Sequence, residues 1–166
     1  MEADACDFRL ARQSRLVIDT GGMFEHLLSR HEQESLYACV HEHLAPGGTF
    51  VVSTVFPKPG GMRTVAEEHW SSYRRPEGHE IRLSGASEYD PVTQTCTETA
   101  YRRWTDVTGE ETVSVAPLAR RLIFPQEMDA LLHYNGFEVF ERYGDYDFSP
   151  LAGDSRMVIH VCRSAA

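Results

Sequence analysis

The segment Tyr143-Gly144-Asp145-Tyr146-Asp147-Phe148 sets aromatic rings beside two carboxylates. Rings give a small molecule broad apolar contact, and carboxylates hold a cation or a proton. Three other places carry residues of comparable use. Asp19-Thr20-Gly21-Gly22 follows a short apolar run, where a carboxylate and a hydroxyl would project from a strand end. His26, in Met23-Phe24-Glu25-His26-Leu27-Leu28, has the side chain most often used as a general acid or base, although a packed histidine is the commoner outcome. Tyr101 and Trp104 lie three apart in a β-type run, so period-two counting sends them to opposite faces, with Arg103 beside Tyr101. Each has a plainer alternative: a tight turn for Asp19 to Gly22, a loop tucked over the core for Tyr143 to Phe148, core packing for Trp104. The eight histidines suggest a metal, yet His41 and His43 are two apart on a helix and diverge, and no HExxH occurs. No metal is expected.

The elements that must position these residues are legible. Arg15 to Asp19 predicts a buried strand, and Ser29-Arg30-His31-Glu32 has the spacing of a capping box. Leu36, Tyr37, Val40 and Leu44 make one apolar helical stripe. Ala45-Pro46-Gly47-Gly48 reads as the corner that ends this helix, and Thr49 to Phe56 as a central strand covered on both faces. Strand, helix and strand in this order make a βαβ unit. Glu80 to Glu88, Gln94 to Thr105 and Thr112 to Phe124 predict an antiparallel meander, with Pro117 at an edge or bulge. Pro125 opens a second helix whose Met128, Leu131 and Leu132 share a face, and Asn135-Gly136 closes it. Phe137 to Tyr143 and Met157 to Arg163 form a last strand pair.

Composition bounds the rest. A chain of 166 residues, 42% hydrophobic, builds one core. Sixteen basic against 25 acidic residues give a net charge of -9, which argues against a nucleic-acid footprint. No apolar run reaches the length of a membrane span, and the N-terminus lacks the character of a signal peptide. Cys6, Cys39, Cys96 and Cys162 are far apart in sequence, as reduced thiols of a cytoplasmic protein would be.

Four stretches taken in order resemble the C-terminal portion of class I S-adenosylmethionine-dependent methyltransferases, in particular the small-molecule and sugar N-methyltransferase type. "EADACDFRL" is similar to the acidic segment before the family's fourth strand, and "RLVIDTGGMFEHL" to that strand and its loop. "LAPGGTFVVSTVFP" is similar to the fifth-strand motif, and "FPQEMDALLHYNGFEVFERYGDYDFSPLAGDSRMVIHVCR" to the last helix and closing strand pair. The resemblance implies an α/β fold: a truncated Rossmann-like sheet with the fourth to seventh strands, residues 1–57 and 124–166, and a β-meander insertion at 58–123. It implies that Asp4, Ala5 and Asp19 are the cofactor-side positions if S-adenosylmethionine binds. It also implies that the glycine-rich loop and second-strand acid of the family lie upstream of Met1, and no GxGxG occurs in these 166 residues.

Three functions follow from that reading. The first is a natural-product tailoring enzyme that needs no cofactor and cyclises or rearranges its substrate by holding it in reactive geometry. The second is a methyltransferase fragment or half of a split enzyme, and the third a non-catalytic partner subunit. The first is adopted here as the expectation, with His26 and Tyr143 as catalytic residues and Thr20, Met23, Tyr101, Trp104 and Tyr146 lining the substrate. Loss of the neighbouring strand would leave the Leu16-Val17-Ile18 edge unpaired, so a homodimer, a partner chain or the β insertion folded over is expected to cover it, the homodimer by preference.

Overall fold

The computed structural model describes residues 3–76, 78, 80–105 and 108–165. They divide into two compact units, one from the N-terminal segment to Pro57 together with the chain from Arg121 on, the other Lys58–Arg120.

The first unit begins with β1 (Ser14–Asp19), the 3-10 turn Met23–His26, α1 (Arg30–His43) and β2 (Leu44–Val55). Ser29 caps α1 as its spacing predicts: its hydroxyl accepts from the Glu32 N–H, and the Glu32 carboxylate accepts from the Ser29 N–H at 2.8 Å. α2 (Pro125–Tyr134) starts on proline, and Asn135 with left-handed Gly136 (φ 79°) ends it. β7 (Phe137–Tyr143) and β8 (Met157–Ser164) complete a sheet of order β1-β2-β8-β7. β1 and β2 are parallel, whereas β8 runs antiparallel to both neighbours.

The Pro-Gly-Gly segment differs from the expected corner. α1 already ends at His43. Ser14 then pairs with Leu44 and Leu16 with Thr49, so β2 advances five residues while β1 advances two. Ala45 to Gly48 bulge out within the strand. Gly47 is left-handed (φ 70°), and a Cβ on Gly48 would lie 2.8 Å from the Ala45 carbonyl oxygen and 3.1 Å from that of Arg15. The glycines are thus required by a bulge, not by the helix terminus.

One face of this sheet is packed under the helices. Phe24, Tyr37, Phe50 and Phe137 form its centre, with ring centroids 5.3–6.4 Å apart, joined by Leu36, Val40, Val52, Met128 and Leu132. β2 is not covered on both faces, however. On the opposite side Leu16 and Ile18 are 52% and 55% exposed, because both described helices pack on the face that carries Phe50 and Val52. β1 is hydrogen-bonded to β2 alone among the described strands and forms the sheet edge.

The second unit is a four-stranded antiparallel sheet, β3 (Val65–Arg74), β4 (Glu80–Asp90), β5 (Thr95–Thr105) and β6 (Glu111–Arg121), in sequence order. β6 carries Pro117 and lies at an edge, where a residue without an N–H does no harm. β3 was not anticipated. Its sequence, VAEEHWSSYR, has no apolar alternation because it is an edge strand exposed along almost its whole length. Trp70 lies flat over Gly85 so closely that a Cβ there would meet the indole at 1.8 Å. No described helix is long and apolar enough to cross a membrane.

Candidate functional site

The carboxyl ends of β1 and β2 gather the polar residues that the core of the first unit leaves over. Asp19 pairs in register with Val52, and Val52 with His160. Residues opposite one another share a face, so the Asp19 side chain points to the helix-covered side. It is 6% exposed; Oδ2 accepts from the Phe24 N–H at 3.1 Å, and Oδ1 has no partner. Glu25, 2% exposed, lies in the 3-10 turn above, and its Oε1 accepts from the Val55 N–H at 2.8 Å. Left-handed Gly22 makes room for this carboxylate, since a Cβ there would stand 3.0 Å from Glu25 Oε2. Thr54, two residues beyond Val52 on the same face, is buried with its hydroxyl unpartnered.

These groups set an unusual charge state. Burial pushes the Asp19 carboxyl up to about 7, the nearby Glu25 carboxylate adds to the shift, and the Phe24 N–H offsets part of it. A carboxyl of this kind exchanges a proton near neutrality, and its Oδ1 is a buried acceptor that meets no donor among the described residues. An ammonium or a hydroxyl suits it; an anion does not.

The sheet separates the residues singled out in the sequence. Ser53 and Tyr143 are each opposite Ile159 and so occupy the face away from Asp19. There the Tyr146 hydroxyl bonds Ser53 Oγ at 2.8 Å and accepts from the Gly21 N–H at 3.3 Å, tying the aromatic loop to both strand ends. The Tyr143 hydroxyl donates to Glu141 Oε2 at 2.8 Å, and its ring meets Phe148 edge-on. Thr20 and His26 are exposed, while Met23 packs against the core. Tyr101 and Trp104 belong to the second unit, opposite Ser84 and Ile81 and hence on opposite faces. Glu25, Ser53 and Thr54 were not foreseen. A glutamate inside an apolar "MFEHLL" was the available signal, since a buried carboxylate among hydrophobic neighbours needs a reason.

His41 and His43 of α1 serve structure. His41 stacks on Phe137 at 4.0 Å and its Nε2 lies 2.7 Å from the Asn135 carbonyl. His43 Nε2 accepts the Leu10 N–H at 2.9 Å, which puts the ring proton on Nδ1, where it donates to the Cys39 carbonyl at 2.8 Å. Among the described residues no three metal-binding side chains converge. A cleft of about 420 Å³ beside α2 and β7 is lined by Asp129, His133, Glu138 and Arg142. Its charges are already paired, Asp129 with Arg142 and Glu138 with Arg163.

Known structures share this architecture. The chain matches the methyltransferase CcbJ from Streptomyces caelestis with a TM-score of 0.72 and 24% identity, over 99% of this chain and 62% of that one. It matches an S-adenosylmethionine-dependent methyltransferase from Clostridium acetobutylicum with a TM-score of 0.78 and 9% identity, over 99% and 63% of the two chains. For the sugar N-methyltransferase KedS8 from Streptoalloteichus the TM-score is 0.70 and the identity 21%, over 96% and 60%. No family model matches the sequence, and no curated protein does. The chain spans about 60% of the length of these structures, and the likeness establishes an α/β, Rossmann-like methyltransferase fold.

The residues present do not by themselves make a grip for S-adenosylmethionine. Asp4 Oδ1 is engaged by the Cys6 N–H at 2.8 Å, and Ala5 packs against the core. The N-terminus of α1 is closed by its own capping box, and α2 begins on Pro125. The capping box engages the Ser29 and Glu32 N–H groups of α1, and α2 lacks the N–H of its first residue.

Proposed function

We propose that this chain forms the acceptor side of an S-adenosylmethionine-dependent N-methyltransferase for a small amine of the natural-product type. The observation that carries the reading is Asp19: a buried carboxyl with one unpaired oxygen at the end of edge strand β1, poised to titrate about pH 7. An amine is a nucleophile only when neutral, and at neutral pH it is an ammonium. Asp19 would hold that ammonium by charge and hydrogen bond and take its proton, the task of a general base whose pKa lies near the working pH. Thr54 Oγ1 would orient the acceptor, and Glu25 keeps the Asp19 proton affinity high. The cofactor supplies an electrophilic methyl group when it is bound. Cofactor-independent cyclisation finds no support among the structural neighbours, which are methyltransferases.

Two titrations test the assignment. Calorimetry of the purified chain with S-adenosylmethionine should give no binding in the low-micromolar range, which corresponds to about -8 kcal/mol. Calorimetry with a methyl glycoside of an amino sugar should give binding that its N-acetyl derivative lacks. Micromolar cofactor affinity would end the acceptor-side reading, and indifference to acetylation would end the amine reading.

The same proposal gives β1 a partner. Its edge is unpaired and its Leu16 and Ile18 are half exposed, so a second copy of the chain is proposed to cover it. Sedimentation should show a dimer, and the amides of Val17 and Ile18 should exchange slowly. A monomer in which those amides exchange fast refutes the pairing.

A further inference from the structure

Cys6 and Cys39 lie 33 residues apart in sequence and are brought together where the N-terminal segment crosses α1. The Cys39 thiol donates to the Cys6 carbonyl oxygen at 3.3 Å, and the Cys6 thiol to the Glu32 carbonyl at 3.5 Å. A cysteine sulfur pivots on Cβ within a few ångströms of its own carbonyl oxygen. The Cys39 sulfur therefore lies beside the Cys6 backbone, and a change of Cys6 rotamer would turn the two sulfurs toward one another. All four thiols are reduced, and Cys6 alone is only partly buried. Cys96 and Cys162 are enclosed, and burial pushes Cys162 up to about 12. The Arg9 guanidinium donates to Cys39 Sγ at 3.9 Å. Burial raises the pKa of the Cys6 thiol, and the Asp4 and Glu32 carboxylates add to it, so its oxidation needs a peroxide and is slow at neutral pH.

We infer that Cys6 and Cys39 are an oxidisable pair, which a peroxide converts to a disulfide that fastens the Asp4–Arg9 segment to α1. In the first step the Cys6 sulfur attacks one peroxide oxygen; the O–O bond breaks, a sulfenic acid forms and one water leaves. In the second the Cys39 thiolate attacks that sulfur; the S–S bond forms, the S–O bond breaks, and hydroxide departs as a second water with the Cys39 proton. Two thiols are oxidised and one hydrogen peroxide is reduced to two waters. The segment concerned carries Asp4 and Ala5 and contributes Ala5, Cys6 and Phe8 to the core boundary, so oxidation would fix a flank of the fold that reduction leaves to non-covalent packing.

The test is treatment of the whole chain with a slight excess of hydrogen peroxide, then alkylation of remaining thiols in denaturant, intact mass and peptide mapping. The expected result is loss of two of the four thiols, a mass lower by two hydrogens before alkylation, and one crosslinked peptide joining Cys6 to Cys39. Cys6→Ser and Cys39→Ala should each abolish the crosslink, whereas Cys96→Ser should leave it intact. A sulfinic acid on Cys6 with Cys39 still free, or a disulfide between two copies through Cys6, overturns the inference.

Discussion

Replacing Asp19 with asparagine should make the protein more stable at pH 8 by about 2–4 kcal/mol while weakening amine binding about ten- to a hundred-fold. The stability gain follows from linkage. The folded carboxyl titrates at about 7 against 3.8 for the free group, so the folded state binds more protons between those values. Asp19 therefore costs stability progressively as pH rises from about 4 to 7, and its full cost is present above that window. Asparagine can still accept from the Phe24 N–H and carries no charge to desolvate. The gap to the wild type should narrow as pH falls toward 4 and close below about 3, where aspartate is neutral in both states. Urea unfolding of the two proteins at pH 4 and pH 8 measures it. An asparagine variant no more stable at pH 8 would mean that Asp19 is hydrated there and does not hold a proton for catalysis. The binding loss follows from removing the charge that the ammonium meets.

In the Asp19→Asn background, acidification from pH 6.5 to 4 should remove about 3 kcal/mol of stability through His160. This ring is fully buried on β8, opposite Val52 and Arg142. Burial lowers its pKa; Asp129 opposes this and does not prevail, and the Arg142 guanidinium adds to the lowering, so the pKa falls from 6.5 to about 4. His160 Nε2 lies 3.2 Å from Asp129 Oδ1, but the contact is not aligned as a hydrogen bond and neither ring nitrogen has a partner. Asp129 is committed instead to Arg142, whose Nε and Nη2 reach it at 2.9 and 2.8 Å. Cys162, on the same strand, faces the same two charges. Because the folded pKa is depressed, the stability contribution is complete above pH 6.5 and is lost as pH falls to about 4. Asp19 titrates in the opposite sense over nearly the same window, so the wild type should show only a shallow dependence. The single variant exposes the His160 slope, and adding His160→Leu should flatten it again. A flat profile in Asp19→Asn alone would show that His160 is not held neutral.

Much of this protein is written locally in its chain. Ser29 and Glu32 determine where α1 starts because a capping box needs only four consecutive residues. Pro125 and Asn135-Gly136 bound α2 for equally local reasons. The β1-α1-β2 order, the closing strand pair and three strands of the meander follow from periodicity. Tertiary structure decided what depends on register and on faces. Pro46-Gly47-Gly48 is a bulge because β1 pairs across it, and no local signal distinguishes that from a helix end. β3 has no apolar alternation, since an edge strand with two wet faces needs none. The candidate site shows the difference most sharply. Residue types placed Asp19, His26, Tyr143 and Tyr146 near one another, but a strand sends neighbours to opposite sides, and the sheet puts Asp19 with Glu25 and Thr54 on one face and Tyr143 with Ser53 on the other. The charge state of Asp19 is likewise non-local: only burial and the approach of Glu25, set by folding, move an ordinary carboxyl to about pH 7.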